Sequence, residues 1–127
     1  MSAISRMMTT ICSDNLVASK AFYIKLLNLQ VRYDSEWFVQ LTSENTAFEL
    51  GIINRTNAIV PEGFQQHPQG FYLTFVVADV DAIFKIAQKE NMDIVSEPTD
   101  TFYGQRRLLL KDPNGALVDI SAPMQNF

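Results

Sequence analysis

The chain runs through one order of elements twice. "RMMTTICSD" is a strand-like run that ends at a polar junction and passes into the helical "NLVASKAFYIKLL"; far downstream, "GFYLTFVVAD" ends the same way before "VDAIFKIAQKEN". Three short segments rich in β-branched and aromatic side chains follow the first helix, "LQVRYD", "EWFVQL" and "TAFELGII", and three follow the second, "DIVSEP", "YGQRRLLLKD" and "ALVDISA". This predicts an α+β chain of two β-α-β-β-β modules, the first over about 5–54 and the second over about 70–122, joined by a connector over about 55–69 that holds two prolines and a glycine. The helical spacing predicts Leu16, Ala21, Ile24 and Leu27 as the inward stripe of the first helix, with Asp14 or Asn15 as its N-cap. It predicts Val80, Ile83, Phe84 and Ala87 as the stripe of the second, after Asp79. "DPNG", with Pro113, Asn114 and Gly115, is a tight turn, so the last two strands form a hairpin.

Glu49 stands inside the apolar run "AFELGII", where an unpaired buried carboxylate would be costly. Strand alternation puts Phe48, Leu50 and Ile52 on one face and Ala47, Glu49 and Gly51 on the other. The same reading puts Leu117, Asp119 and Ser121 together, opposite Val118 and Ile120, and leaves Tyr72 and Thr74 opposite Phe71, Leu73 and Phe75. The apolar faces are expected under the helices, and the faces carrying Glu49 and Asp119 are expected to line a partly solvated ligand pocket. The alternative is that Glu49 pairs with Arg106 or Arg107, only one of which can share the pocket face. Trp37, Tyr103 and Tyr72 are candidate aromatic walls; for "EWFVQL" the alternation separates Trp37 from Phe38 without saying which faces the pocket.

Composition removes some function classes. The 127 residues are 47% hydrophobic and 19% charged, as in one folded domain, and the net charge of -4 lacks the basic footprint of a nucleic-acid binder. Cys12, the single cysteine, excludes an internal disulfide and reads as a buried, inert thiol. No apolar run approaches a membrane span and the N-terminus has no signal-like core, so a cytoplasmic protein with no membrane or nucleic-acid partner is expected.

The paired modules, "AFY" in the first helix, "DPNG" before the last strand and a mid-strand carboxylate in each half resemble the vicinal oxygen chelate superfamily, which includes glyoxalase I, bleomycin-resistance proteins and extradiol dioxygenases. The resemblance implies mixed sheets that curl into a cup, helices outside, and a divalent metal held by one first-strand and one fourth-strand residue of each module. Carried over position by position, the fourth-strand sites are Glu49 and Asp119, and the first-strand sites, counted back from Asp14 and Asp79, are Met7 and Tyr72. Neither first-strand residue is a histidine, and the single histidine, His67, lies in the connector, where an exposed loop role is expected. Two carboxylates with a thioether and a phenol make a poor site for zinc, nickel or iron, so no cofactor is expected beyond a weakly held divalent ion at Glu49 and Asp119.

The resemblance therefore implies a small-molecule-binding protein like the bleomycin-resistance proteins, with a partly acidic, aromatic-lined cup suited to a cationic ligand. Its contact residues are expected among Met7, Trp37, Glu49, Tyr72, Thr74, Tyr103, Arg107 and Asp119. The competing expectation is a lyase, isomerase or dioxygenase using a noncanonical metal, or proton transfer, at Glu49 and Asp119. Either way, members of this fold pair module against module, which predicts a homodimer.

Overall fold

Two cap residues set where the helices begin. Asn15 has extended backbone and its side chain accepts from the Ala18 N–H at 3.0 Å, starting α1 (Leu16–Leu27) directly after β1 (Met8–Ser13). Asp79 does the same for Ala82 at 3.1 Å, starting α2 (Val80–Lys89) after β5 (Tyr72–Val76). The computed structural model describes residues 2–125 and contains two compact units, the first ending at Pro68 and the second beginning at Gln69.

In the first unit β2 (Gln30–Asp34), β3 (Phe38–Thr42) and β4 (Glu49–Asn54) follow α1, and the sheet order is β1-β4-β3-β2. β1 and β4 are parallel, and the other pairs are antiparallel. In the second, β6 (Asp93–Asp100), β7 (Gln105–Lys111) and β8 (Leu117–Pro123) follow α2 in the order β5-β8-β7-β6, again with the first and last strands parallel. The α+β class and both β-α-β-β-β modules are as the sequence predicts, and neither sheet closes on itself.

Each sheet buries one face under its own helix. Ile11, Val39, Leu41, Leu50 and Ile52 are buried in the first unit with Phe22, Tyr23 and Leu26 of α1, and Leu108, Leu110, Val118 and Ile120 in the second with Val80 and Ala87 of α2. Burying such side chains stabilises by about 1.5–3 kcal/mol each. The inward stripe of α1 is Ser19, Phe22, Tyr23 and Leu26, not the predicted Leu16, Ala21, Ile24 and Leu27, which are only half-buried. Ser19 is tolerated there because its hydroxyl meets the Ser13 hydroxyl at 2.9 Å.

The "DPNG" turn closes the β7–β8 hairpin as expected. Gly115 takes a positive φ of 85°, and the Asp112 carboxylate accepts from the Asn114 and Ala116 N–H groups at 2.8 and 2.9 Å. The connector folds back on the first unit: Arg55 donates to Asp14 (2.9 Å) and to the Gln65 carbonyl (2.9 Å), His67 pairs with Asp14, and the Cys12 thiol meets the Phe64 carbonyl at 3.7 Å. His67 is exposed, as expected of a loop histidine. Cys12 is half-buried, and burial pushes its thiol pKa up, which disfavours the reactive thiolate. Among the described residues no helix is long and apolar enough to cross a membrane.

Candidate functional site: two carboxylate-centred sheet faces

The face of the first sheet away from α1 is built by alternation. Glu49 and Gly51 on β4 share it with Met8 and Thr10 on β1 and with Phe38, Gln40 and Thr42 on β3, through the pairs Met8 with Glu49, Thr10 with Gly51, Gln40 with Gly51 and Thr42 with Glu49. The Glu49 side chain is 11% exposed and carries three donors. Arg6 grips it in a fork, Nε to Oε2 at 2.9 Å and Nη2 to Oε1, and Gln40 Nε2 donates to Oε1 at 2.5 Å. The Arg6 hydrogen bond holds the Glu49 carboxyl below the usual carboxylate range, against burial, which works the other way.

Glu49 therefore pairs within its own module, with Arg6, and not with Arg106 or Arg107. Arg106 instead points to the α2 side and binds Asp81 and Asp100. Phe38, not Trp37, lies on the Glu49 face; Trp37 precedes β3 and leans on the Phe38 ring at 5.6 Å, and Tyr33 approaches the same ring at 6.2 Å.

In the second sheet the face away from α2 carries Tyr72 and Thr74 of β5, Leu117, Asp119 and Ser121 of β8, and Arg107 and Leu109 of β7. The Asp119 side chain is 8% exposed; Ser121 Oγ donates to Oδ1 at 2.5 Å, Thr74 Oγ1 donates to Oδ2 at 3.1 Å, and Arg107 Nε stands 3.4 Å from Oδ2. That last contact is an ion pair without hydrogen-bond geometry, because the buried Arg107 Nε has no hydrogen-bond partner. The Arg107 guanidinium lies over the Tyr72 ring, 5.7 Å from its centre. Tyr103 sits in the β6–β7 turn, edge-on to Phe102 at 5.2 Å.

The first-strand residue level with Glu49 is Met8; Met7 precedes β1 and is 77% exposed. The residue level with Asp119 is Thr74, and Tyr72 is level with Leu117, so Asp119 sits one pleat further along its strand than Glu49 does. Sequence reasoning placed Ser121 on the Asp119 face and left open which face of β3 lines the site, and the register of β3 against β4 settles that it is the face of Phe38 and Gln40. The residue it missed is Arg6, which lies before β1 and left no periodic signal.

These donors do not fit the divalent metal that the fold implies. Each carboxylate has its oxygens engaged by hydrogen-bond donors with an arginine beside it, and the level partners offer a thioether and a hydroxyl. Among the described residues no three His, Cys, Asp or Glu side chains cluster as ligands.

The profile of the Glyoxalase-like domain matches residues 7–125. A glyoxalase/bleomycin resistance protein/dioxygenase family enzyme from Burkholderia phytofirmans PsJN superposes with a TM-score of 0.78 at 21% identity, over 92% of this chain and 97% of that one. A superfamily member from Sphaerobacter thermophilus gives 0.77 at 17% identity, over 94% and 97%. A lactoylglutathione lyase from Agrobacterium tumefaciens gives 0.71 at 18%, over 95% and 96%. A comparison with curated protein sequences gives no match. At these identities the structural likeness speaks for the fold, and the profile, spanning nearly the whole chain, assigns it: the protein belongs to the glyoxalase-like family of the vicinal oxygen chelate superfamily.

Proposed function

We propose that the protein binds a small organic ligand on a sheet face that carries one of these carboxylates, Glu49 in the first unit or Asp119 in the second, without the metal that serves the catalytic members of its superfamily. The observation that carries this reading is the state of the two carboxylates. Both are held by donors from their own modules, with an arginine at hand, so neither face offers the ligand set of a metal centre. What the faces do offer is recognition: Phe38 with Tyr33 and Trp37 beside it, Tyr72 under Arg107, and the guanidinium N–H groups of Arg6 and Arg107.

The pairing also changes the ligand class. An arginine beside each carboxylate leaves little net negative charge, so a ligand with a planar apolar part and hydrogen-bond acceptors suits these faces better than a cation. Proton transfer from Glu49 loses its support too, because Arg6 lowers its pKa instead of raising it toward neutrality.

A homodimer belongs to this proposal. It rests on the family assignment, because members of this superfamily commonly dimerise. Light scattering at micromolar concentration should give twice the chain mass.

The test combines metal analysis with ligand binding. Wild type and the Glu49→Gln/Asp119→Asn double variant are assayed for native metal content and divalent-ion binding, and wild type is then screened with small aromatic compounds through the emission of Trp37, the single tryptophan. Absence of stoichiometric metal together with saturable quenching by a ligand supports the proposal. Stoichiometric metal that disappears in the double variant sinks it.

A further inference from the structure

The two carboxylate faces differ in what their arginines have left to give. In the first unit Arg6 spends Nε and Nη2 on the two oxygens of Glu49, and its side chain is 68% exposed, so its remaining donors lie in water. In the second unit the Asp119 oxygens are taken by Ser121 and Thr74, and the Arg107 side chain, only 25% exposed, donates no hydrogen bond among the described residues. Its Nε is buried without a partner, and its Nη1 and Nη2 groups stay open to solvent. A guanidinium is all donor and no acceptor, and leaving such donors unmade in a sheltered place is costly.

The charge of Arg107, by contrast, is already balanced. Asp119 Oδ2 stands 3.4 Å from Nε, so the pair is neutral as a unit, and what the face lacks is an acceptor and not an anion. Around the guanidinium the same face is apolar. Tyr72 lies under it at 5.7 Å and is half exposed, Leu109 and Leu117 are half-buried, and Val76, level with Ser121, is mostly exposed. A carbonyl oxygen has two lone pairs and can accept from both Nη groups at once without bringing charge toward Asp119. An aromatic ring attached to that carbonyl finds Tyr72 and the leucine side chains to cover it.

We infer that the ligand-binding face is that of the second unit, and that it selects a neutral aromatic carbonyl compound held by the Arg107 guanidinium. The inference rests on the small-molecule reading above and sharpens it: Arg107 becomes the specificity-determining residue, while the Glu49 face is closed by its own Arg6 fork.

The test is a titration of the isotope-labelled full chain with acetophenone, benzoate and benzylammonium, which share a ring and differ in charge, read from backbone amides and from the Arg107 Nε–H signal. Saturable shifts are expected at residues 72–76, 105–109 and 117–121 and at Nε–H, with acetophenone binding most tightly. Arg107→Lys should weaken acetophenone by about tenfold, the scale of one lost charge-assisted hydrogen bond; lysine keeps the counter-charge to Asp119 but not the planar fork. The wild-type Nε–H shift decides the matter if that variant fails to fold. Saturable shifts at residues 8–10, 38–42 and 49–51 instead would overturn this inference and leave the broader reading standing, whereas metal lost in Glu49→Gln/Asp119→Asn sinks that reading. No saturation with any probe, tighter binding of either ion, unchanged affinity in Arg107→Lys, or shifts of the second-unit amides with protein concentration alone, which would mean that a second copy covers the face, each overturn the inference.

Discussion

Gly51 is required for space. On β4 it lies between Thr10 and Gln40, and a Cβ there would stand 2.8 Å from Thr10 Oγ1 and 3.0 and 3.1 Å from the edge of the Phe38 ring. Thr10 is β-branched and stiff at χ1, and the Phe38 ring is already in contact with Trp37 and Tyr33, so neither neighbour yields freely. Overpacking of this sort costs about 1–3 kcal/mol. Replacing glycine by alanine in a strand returns roughly 0.5–1 kcal/mol through backbone entropy. The net expectation for Gly51→Ala is a loss of about 1–2 kcal/mol, and Gly51→Val should lose more.

Equilibrium urea unfolding, followed by circular dichroism and by Trp37 emission, measures the loss. The same spectra test the cause, because displacing the Phe38 ring should change Trp37 emission in the folded state. Thr10→Ala removes the closest contact, so it should cost less in the Gly51→Ala background than in wild type, with a coupling of about 1 kcal/mol. A Gly51→Ala protein as stable as wild type, or strict additivity with Thr10→Ala, would refute the steric account.

Asp119→Ala should destabilise by about 2 kcal/mol, since it leaves the Thr74 and buried Ser121 hydroxyls without their acceptor and the three-quarters-buried Arg107 without its counter-charge; the denaturation midpoint reads this, and Asp119→Asn should lose less. Asn15→Ala and Asp79→Ala each remove a helix cap and should cost about 1 kcal/mol. The Asp14 carboxyl is held below its usual pKa by the hydrogen bond from His67, then by that from Arg55. Its stabilising contribution is therefore complete above the unfolded value near 3.9 and is lost as pH falls through the lower folded value. Asp14→Asn should flatten the stability profile in that acid window, and an unchanged acid limb in urea titrations at graded pH would count against the clamp.

The strands were legible because their side-chain period is strict. Glu49, Asp119, Tyr72 and Thr74 fall on the faces that alternation assigned, and the "DPNG" hairpin follows from turn chemistry. The inward stripe of α1 was not legible, since that helix is apolar on two flanks and only tertiary packing selects one. The first-strand position was missed by one residue for a specific reason: the count back began at Asp14, whereas the helix is capped by Asn15, which releases Asp14 to hold Arg55 and His67. Counting from Asn15 gives Met8. Partners of Glu49 were out of reach because Arg6 comes from the segment before β1, where no periodicity constrains a side chain.

Each module joins its opening strand to its closing one, β1 to β4 and β5 to β8. During synthesis β1 must therefore wait, its Ile11 and Cys12 backbone unpaired, until Ile52 and Ile53 have left the ribosome. By then every strand and the helix of that module are already available, and β5 has not yet emerged. The chain is thus disposed to fold in two installments, with the vulnerable interval of each being the wait for its last strand. Substitutions that slow the closing of β4 or β8 should reduce yield during expression more than their effect on equilibrium stability would suggest.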